Sequence, residues 1–404
     1  MSIRHVVVAL SGGVDSSVAA LLLKRKGYQV TGVFMRNWDT VNELGVCEAD
    51  RDCEDAEYVC RRLDIPFHQV NLVKDYWNDV FSEMLKEYQH GWTPNPDILC
   101  NKRIKFRTFF NYVMDKFEAD ALATGHYART SIHGNICTEN VLSSMNIIPQ
   151  NNTENVKLLQ ALDSWKDQTF FLSQIPQQAL RRALFPLGEL TKPVVKQMAQ
   201  DAGFTHIAKK KESMGICFIG TRNFPNFLQE YIEAEPGQFV SVLDGKVLGE
   251  HKGACMYTIG QRAGLGGMKE PWFVVDRDTS TNNIFVCPTT DHPALYRQLI
   301  MTEPVHWIAD PPRDLYEDQM YDCHFRFQHR MPLVKCTLTL SGNNQVWVSL
   351  AEPIRALTPG QYAVFYKGDE CLGGGKIIKL GPTLFDLRGR RTIRIEEIEK
   401  RPEK

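Results

Sequence analysis

The chain has 404 residues, more than a single ordinary hydrophobic core organises, so two or three domains are expected. Apolar residues make up 43% and charged residues 24%, an ordinary globular composition, and no apolar run approaches the roughly 18 residues needed to cross a bilayer, which excludes a membrane-spanning protein. The formal net charge is -1, so a polynucleotide partner would have to be met by Lys and Arg gathered on one face.

In chain order, the first 130 residues alternate short apolar runs with helical periodicity, which argues a parallel α/β sheet. His5–Leu10 reads as a strand, Ser16–Lys26 as a helix closed by Gly27, and Gln29–Phe34 as a second strand. Asp50–Leu63 follows as a helix, Phe67–Val70 as a strand and Lys74–Tyr88 as a helix. Pro94 and Pro96 break the pattern before a helix that carries Ile104, Phe110, Val113 and Phe117 on one face, and Ala121–Thr124 is a further buried strand. From Gln168 to about Tyr231 the pattern is helical again, interrupted by Lys209–Gly220. After Pro236 short strands separated by Gly take over, and the runs Val334–Leu340, Val346–Leu350 and Tyr362–Tyr366 with the Gly373–Gly375 triplet read as a small β-barrel.

The expected organisation is a parallel-sheet nucleotide-binding domain over 1–230, with a polar surface insertion at about 131–156. A small central domain over 231–294, a C-terminal β-barrel over 295–385 and a charged tail over 386–404 complete it. The first residues carry no secretory pattern, since a strand is expected from His5, and no long Arg-rich presequence is seen. The eleven cysteines are odd in number and include no C-x-x-C pair. Cys47, Cys53 and Cys60, the tightest cluster, fit neither a zinc site nor a small disulfide scaffold, so most thiols are read as reduced and buried.

Two stretches carry chemistry. Ser11-Gly12-Gly13-Val14-Asp15-Ser16-Ser17 follows a strand and opens a helix. Its glycines let backbone N–H groups converge, the helix start adds partial positive charge, and the serines add hydroxyls, so the loop suits a phosphate or pyrophosphate. It is not a Walker loop, whose pattern is absent from the chain. The second stretch, Pro94-Asn95-Pro96-Asp97-Ile98-Leu99-Cys100-Asn101, leads into a helix. A thiol at such a helix mouth is drawn toward thiolate, but Asp97 as a plain N-cap and Cys100 as a small core residue fit equally well. Cys217, between Ile216 and Phe218, reads on its own as a buried strand residue, and the Lys209–Lys211 run as a solvated face.

The Ser11–Ser17 string resembles the pyrophosphate loop of the ATP pyrophosphatase (PP-loop) superfamily. Together with Asn95–Lys105, Thr124–Tyr127, Lys166–Gln168, Gly215–Gly220, Tyr257–Arg262 and Pro359–Gln361, it makes nearly the whole chain similar to the tRNA-specific 2-thiouridylases. The wording of Pro66–Val70 and His324–Phe327 looks like the animal mitochondrial branch, which implies a mitochondrial location. The resemblance implies an ATP-dependent sulfurtransferase acting on the wobble uridine of mitochondrial tRNAs for Lys, Glu and Gln, with Mg2+-bound ATP as co-substrate. By the same carry-over, Ala9, Leu10, Ser11, Gly12, Gly13, Val14, Asp15 and Ser16 would hold the phosphates, Met35 would lie against adenine, and Gly125 would close the pocket. Cys217 would carry a persulfide and Cys100 would be the second thiol of a transient disulfide, with Asp97 as general acid/base. Asn95, Pro96, Asp97, His126, Lys166, Asp167, Gln168, Arg326, Phe327 and Gln361 would touch the tRNA. The implied partners are a tRNA anticodon arm and an upstream persulfide donor fed by a cysteine desulfurase, with no membrane, and a monomer is expected. Three rivals remain: a PP-loop amidating or lysidine-forming ligase, a non-catalytic RNA-binding protein, and an enzyme in which Asp97, Cys100 and Cys217 hold an iron–sulfur cluster.

Overall fold

The computed structural model describes residues 3–39, 48–132, 155–210 and 224–389. Strand β1 (His5–Leu10) is buried along almost its full length, with Val6, Val7 and Val8 wholly enclosed. Each such valine contributes about 1.5–3 kcal/mol relative to an exposed one. A strand buried on both faces needs helices on both sides, and the chain supplies α1 (Val14–Arg25) and α2 (Glu48–Leu63) between successive parallel strands. With β2 (Gln29–Arg36), β3 (Phe67–Asn71), β4 (Ala121–Ala123) and the short strand Ala183–Leu184, the sheet runs β3-β2-β1-β4 and then Ala183–Leu184, all parallel. The strand order reverses beside β1, because β2 lies on one side of it and β4 on the other. That switch point opens a crevice at the carboxyl end of β1, the usual ligand position in such sheets.

The helix expected over Lys74–Tyr88 is interrupted by one π-helical turn, Trp77–Phe81, between Val73–Tyr76 and Ser82–Gln89. The widened turn carries Trp77 and Phe81 onto the Trp38 ring, at centroid distances of 5.4 and 4.8–4.9 Å within the trio. A similar departure follows Pro96. Pro96–Leu99 is α-helical, Cys100–Phe109 is π-helical with a kink at Phe106, and Phe110–Phe117 resumes the α-helix.

The central part is a four-stranded sheet in the order Trp272–Asp278, Asn283–Pro288, Gly237–Ser241, Val247–His251. The C-terminal part is a barrel, as expected. Tyr296–Thr302 pairs with Val346–Arg355 on one side and with Glu370–Leu380 on the other, which closes the sheet through Val334–Leu340, Met320–Arg326 and Tyr362–Lys367. A hairpin from the nucleotide domain, Arg129–Thr130 with Leu158–Leu159, adds to the start of Glu370–Leu380, so barrel and nucleotide domain share backbone hydrogen bonds. The insertion and the charged tail lie largely outside the described residues.

Candidate active site

The crevice is built from the Ser11–Gly13 loop upward. The Ser16 hydroxyl lies 3.1 Å from the Ser11 backbone nitrogen, which donates to it, and 3.1 Å from the Gly13 carbonyl, to which it donates. The Ser17 hydroxyl also donates to the Gly13 carbonyl, at 2.8 Å. Gly12 takes the left-handed backbone (φ +68°), and a Cβ there would overlap the Asp52 backbone of α2. The loop is thus clamped from above by a helix it contacts through bare backbone. Gly125, just past β4, closes it from the other side, since an added Cβ would stand 2.6 Å from the Ser16 nitrogen. Ala9 and Leu10 are buried in β1, and Val14 is buried in the first turn of α1. Met35 lies at the carboxyl end of β2, level with Val70 of β3, and is partly buried.

The Asp15 carboxylate, in the first turn of α1, is held by two partners. Lys192 Nζ lies 2.7 Å from both of its oxygens and the Tyr127 hydroxyl donates to it at 2.8 Å. Lys192 is 7% exposed, and its ammonium sits over the Tyr127 ring at 5.7 Å. Lys210 plays a matching part at Gly12. Its ammonium donates to the Gly12 carbonyl at 3.3 Å and pairs with Asp52 at 2.9 Å and with Asp55. Burial pulls its pKa down, but the hydrogen bonds to Asp55 and Asp52 outweigh that, so the ammonium is held above its ordinary value. Lys210 is thus partly exposed and held by Asp52, Asp55 and the Gly12 carbonyl, Lys209 beside it is exposed, and Lys211 lies outside the described residues. Nothing in the local sequence marks Lys192 or Lys210, because their partners lie 177 and 158 residues away.

Asn95, not Asp97, caps the second helix: its Oδ1 accepts the Ile98 backbone N–H at 3.2 Å, and Pro96 occupies the first helical position. Asp97 is therefore left free for other work in the first turn. Cys100 opens the π-helical stretch with helical backbone angles (φ -59°, ψ -48°), is 7% exposed, and belongs to the core that also holds Ile98, Leu99, Ile104 and Phe106. The next residue, Asn101, is fixed by its amide on the Phe171 carbonyl at 3.2 Å. Asp97 is partly exposed as a residue, but its carboxyl group is crowded by protein, and that burial raises its pKa, with Lys105 opposing. Burial drives the His126 pKa well below its ordinary value, again with Lys105 adding to the effect, so this ring is neutral. His126 shares a 2.8 Å hydrogen bond with Thr124 and faces Phe106 and Phe185. Phe106 thus packs the helical stretch that follows Asp97 and Cys100 against the strand end beside the Ser11–Gly13 loop.

Several residues expected at the RNA surface face inward. Asp167 is 1% exposed; its oxygens accept from the Thr169 hydroxyl at 2.8 Å, the Ala161 nitrogen at 3.1 Å and Arg326 at 3.2 Å. Arg326 stacks over the Tyr366 ring at 4.6 Å, and Phe327 is buried in the barrel against Phe325. Gln168 exchanges hydrogen bonds with the Tyr127 backbone, at 3.0 Å through its side chain and 2.8 Å through its own nitrogen. Pro96 is buried, Lys166 is half-buried, and Gln361 reaches the Thr93–Asn95 backbone and side chain from the barrel. Cys217 lies outside the described residues. Among the described residues no group of three His, Cys, Asp or Glu side chains is placed to hold a metal ion. Eight cysteines are described, six of them buried.

A parallel sheet with a Ser-Gly-Gly loop at its switch point, backed by a helix that presents a carboxylate and a thiol, defines a nucleotide-binding catalytic domain with two β domains attached. Residues 4–221 match the family described as tRNA methyl transferase HUP domain, 225–288 its PRC-barrel domain, and 297–377 the aminomethyltransferase beta-barrel domain. A mitochondrial tRNA-specific 2-thiouridylase 1 of Homo sapiens is 59% identical over 396 residues, covering 96% of this chain and 93% of the relative. The protein of that name from Gallus gallus is 58% identical over 98% of each chain, and that from Drosophila melanogaster 46% identical over 94% and 95%. The methyl-transferase wording belongs to the domain descriptions; the relatives similar along their full length are named for thiolation. The chain belongs to the tRNA-specific 2-thiouridylases, a family of sulfurtransferases, and within it to the mitochondrial branch.

Proposed function

We propose that the protein thiolates carbon 2 of the wobble uridine in mitochondrial tRNAs for Lys, Glu and Gln, using ATP with Mg2+ and sulfur carried on Cys217. The observation that carries this reading is the meeting of three parts: the Ser11–Gly13 loop, the Gly125–Tyr127 strand end packed on it, and the helical stretch that bears Asp97 and Cys100, whose Phe106 ring meets that of His126 at 6.0 Å. The loop receives the pyrophosphate, with Asp15 neutralised in advance by Lys192. Met35 lies where adenine would rest at the end of β2.

Oxygen 2 of uracil is a very poor leaving group, and its attack on the α-phosphate of ATP turns it into AMP while pyrophosphate departs. The base must first leave its stack to reach the crevice. Asp97 is the group placed for proton transfer at the uracil, and burial of its carboxyl raises its pKa above the ordinary carboxylate value, the direction such a role calls for. The terminal sulfur of a Cys217 persulfide then attacks carbon 2 and expels AMP, leaving the base joined to Cys217 through a sulfur–sulfur bond. The Cys100 thiolate attacks the Cys217 sulfur, which releases 2-thiouridine and forms a Cys100–Cys217 disulfide. A dithiol reductant returns both thiols by donating two electrons. The buried Asp167–Arg326 pair belongs to the seam that holds the barrel, while direct RNA contact falls to more exposed neighbours such as Lys166 and Asn95.

The test uses radioactive sulfur supplied by a desulfurase and cysteine. The Cys217→Ser protein should take up no persulfide sulfur; Cys100→Ser should load sulfur and fail to turn over. Equal loading of Cys217→Ser, or multiple turnovers by Cys100→Ser, would overturn the assignment. A visible absorption band after anaerobic purification would favour the iron–sulfur rival. Activity retained after Ala replacement of both cysteines would favour a ligase, and no pyrophosphate release with tRNA would favour a binding protein. Mass spectrometry of wobble nucleosides from cells lacking the protein decides the position modified.

A further inference from the structure

The segment Trp92–Asn95, immediately before Asp97 and Cys100, is where the three parts of the molecule meet. From the barrel, the Gln361 amide donates to the Thr93 carbonyl at 2.8 Å and to the Pro94 carbonyl at 3.1 Å. Its own carbonyl accepts from the Asn95 amide at 3.4 Å, and the Pro359 carbonyl accepts the Thr93 backbone N–H at 2.9 Å. From the central sheet, Arg277 reaches the Thr93 hydroxyl at 3.2 Å while its other arm is fixed on the Tyr257 carbonyl at 2.6 Å. Gly360 allows the approach: at φ +92°, its Cβ would stand 2.8 Å from the Thr93 nitrogen and 2.9 Å from the Thr93 oxygen. Just below, Lys376 of the barrel forms a buried ion pair with Glu87 beside Trp92.

A Pro-rich, non-repetitive strand has no ladder of its own, so its position is set by whatever satisfies its carbonyls. Here those partners come from 184 to 268 residues away in sequence. Asn95 both contacts Gln361 and caps the helix that bears Asp97 and Cys100, so a shift at Gln361 is passed to the cap and along the first turn.

We propose that Gln361 is a positioning residue of the reaction: with Gly360 and Arg277 it clamps Thr93–Asn95 and so sets where Asp97 and Cys100 stand. The inference deepens the function above and rests on it for its meaning, although the clamp itself can be tested without ATP, tRNA or sulfur. In the free full-length protein, alkylation of Cys100 by iodoacetamide is followed peptide by peptide in a mass spectrometer, with the half-buried Cys53 of α2 as internal reference. Gln361→Ala and Gln361→Glu, which cannot donate to the two carbonyls, should each raise the Cys100 rate about fivefold or more while Cys53 is unchanged. Gly360→Ala, which removes no hydrogen bond but pushes on Thr93, should do the same. Gln361→Lys keeps a donor for the two carbonyls but loses the acceptor of the Asn95 amide, so its Cys100 rate should fall between those of wild type and Gln361→Ala. In turnover, Gln361→Ala should lower kcat about ten- to a hundredfold, the scale on which small misplacements of reacting groups act, with KM for tRNA nearly constant. Unchanged Cys100 labelling, or a rise in tRNA KM with kcat retained, would make Gln361 a plain RNA contact and sink the clamp. An equal rise at Cys53 would also sink it, by reporting general loosening. If the labelling behaves as expected but wild type transfers no sulfur, the functional reading fails and the clamp stands.

Discussion

Gly12 sits at φ +68° with the Asp52 backbone against its Cα, whereas Gly13 sits at φ -96°, where a Cβ would find only Ser11 Oγ at 3.4 Å. The two glycines therefore answer differently to the same change. Gly12→Ala carries about 1–2 kcal/mol of left-handed backbone strain and displaces α2, so both melting temperature and ATP-dependent pyrophosphate release should fall. Gly13→Ala costs under about 1 kcal/mol as a helix-cap change, so a loss of pyrophosphate release without a loss of stability would report the ligand's own closeness. Thermal denaturation alongside a pyrophosphate assay separates the two cases. Lys105 gives a second prediction at this scale. Its charge favours ionised Asp97 against the burial that raises that pKa. In Lys105→Met the Asp97 pKa rises further, and a step that needs the carboxylate loses rate as pH falls through the new value. The acid limb of kcat/KM should move to higher pH, with activity falling about threefold more at pH 6 than at pH 8. An unmoved limb would remove Asp97 from the role of base.

The seam between barrel and nucleotide domain is made of paired polar groups on facing elements. Asp167 and Arg326 meet at 3.2 Å with side chains 1% and 6% exposed, and the His329 ring bonds the Asp167 carbonyl at 2.6 Å. Removing one partner strands a buried charge, so Arg326→Met should cost about 3–5 kcal/mol in urea denaturation. The double change with Asp167→Asn should recover more than half of that. A double variant as unstable as the single one would show that the pair is not the unit that matters. This seam also marks a limit on what could be read from the chain. β1, α1 and the Ser11–Ser17 loop were legible because strand, turn and helix signals lie side by side. Asp167 and Arg326 were legible as motif members but not as buried, since a charged motif reads the same whether it faces water or a partner 159 residues away. The π-helical turns at Trp77–Phe81 and Cys100–Phe109 left no mark either, because their apolar spacing still fits an ordinary helix.

At the scale of the whole molecule, the barrel, the central sheet and the nucleotide domain converge on the stretch before Cys100, while Lys210 and Phe224, which flank Cys217 in sequence, contact the Ser11–Gly13 loop and Tyr88. Lys210, seven residues before Cys217 (217 − 210 = 7), bonds the Gly12 carbonyl of the phosphate loop at 3.3 Å. Phe224, seven residues after it (224 − 217 = 7), has its ring 5.6 Å from that of Tyr88, on the helix that ends just ahead of Thr93. A disulfide between Cys100 and Cys217 needs Cα atoms about 4.4–6.8 Å apart. Cys100 is buried at the start of its π-helical stretch, so its thiol must come out of the core for that bond to form. Sulfur-loaded protein given ATP and tRNA for one turnover, then quenched with acid and digested without reductant, should yield a peptide linking Cys100 to Cys217 in about the amount of 2-thiouridine made. The linked peptide should be absent without tRNA and in Cys100→Ser, and a dithiol should restore further turnovers in step with its loss. Full 2-thiouridine formation with no linked peptide, or a link from Cys217 to another cysteine, would overturn the role of Cys100 as the second thiol.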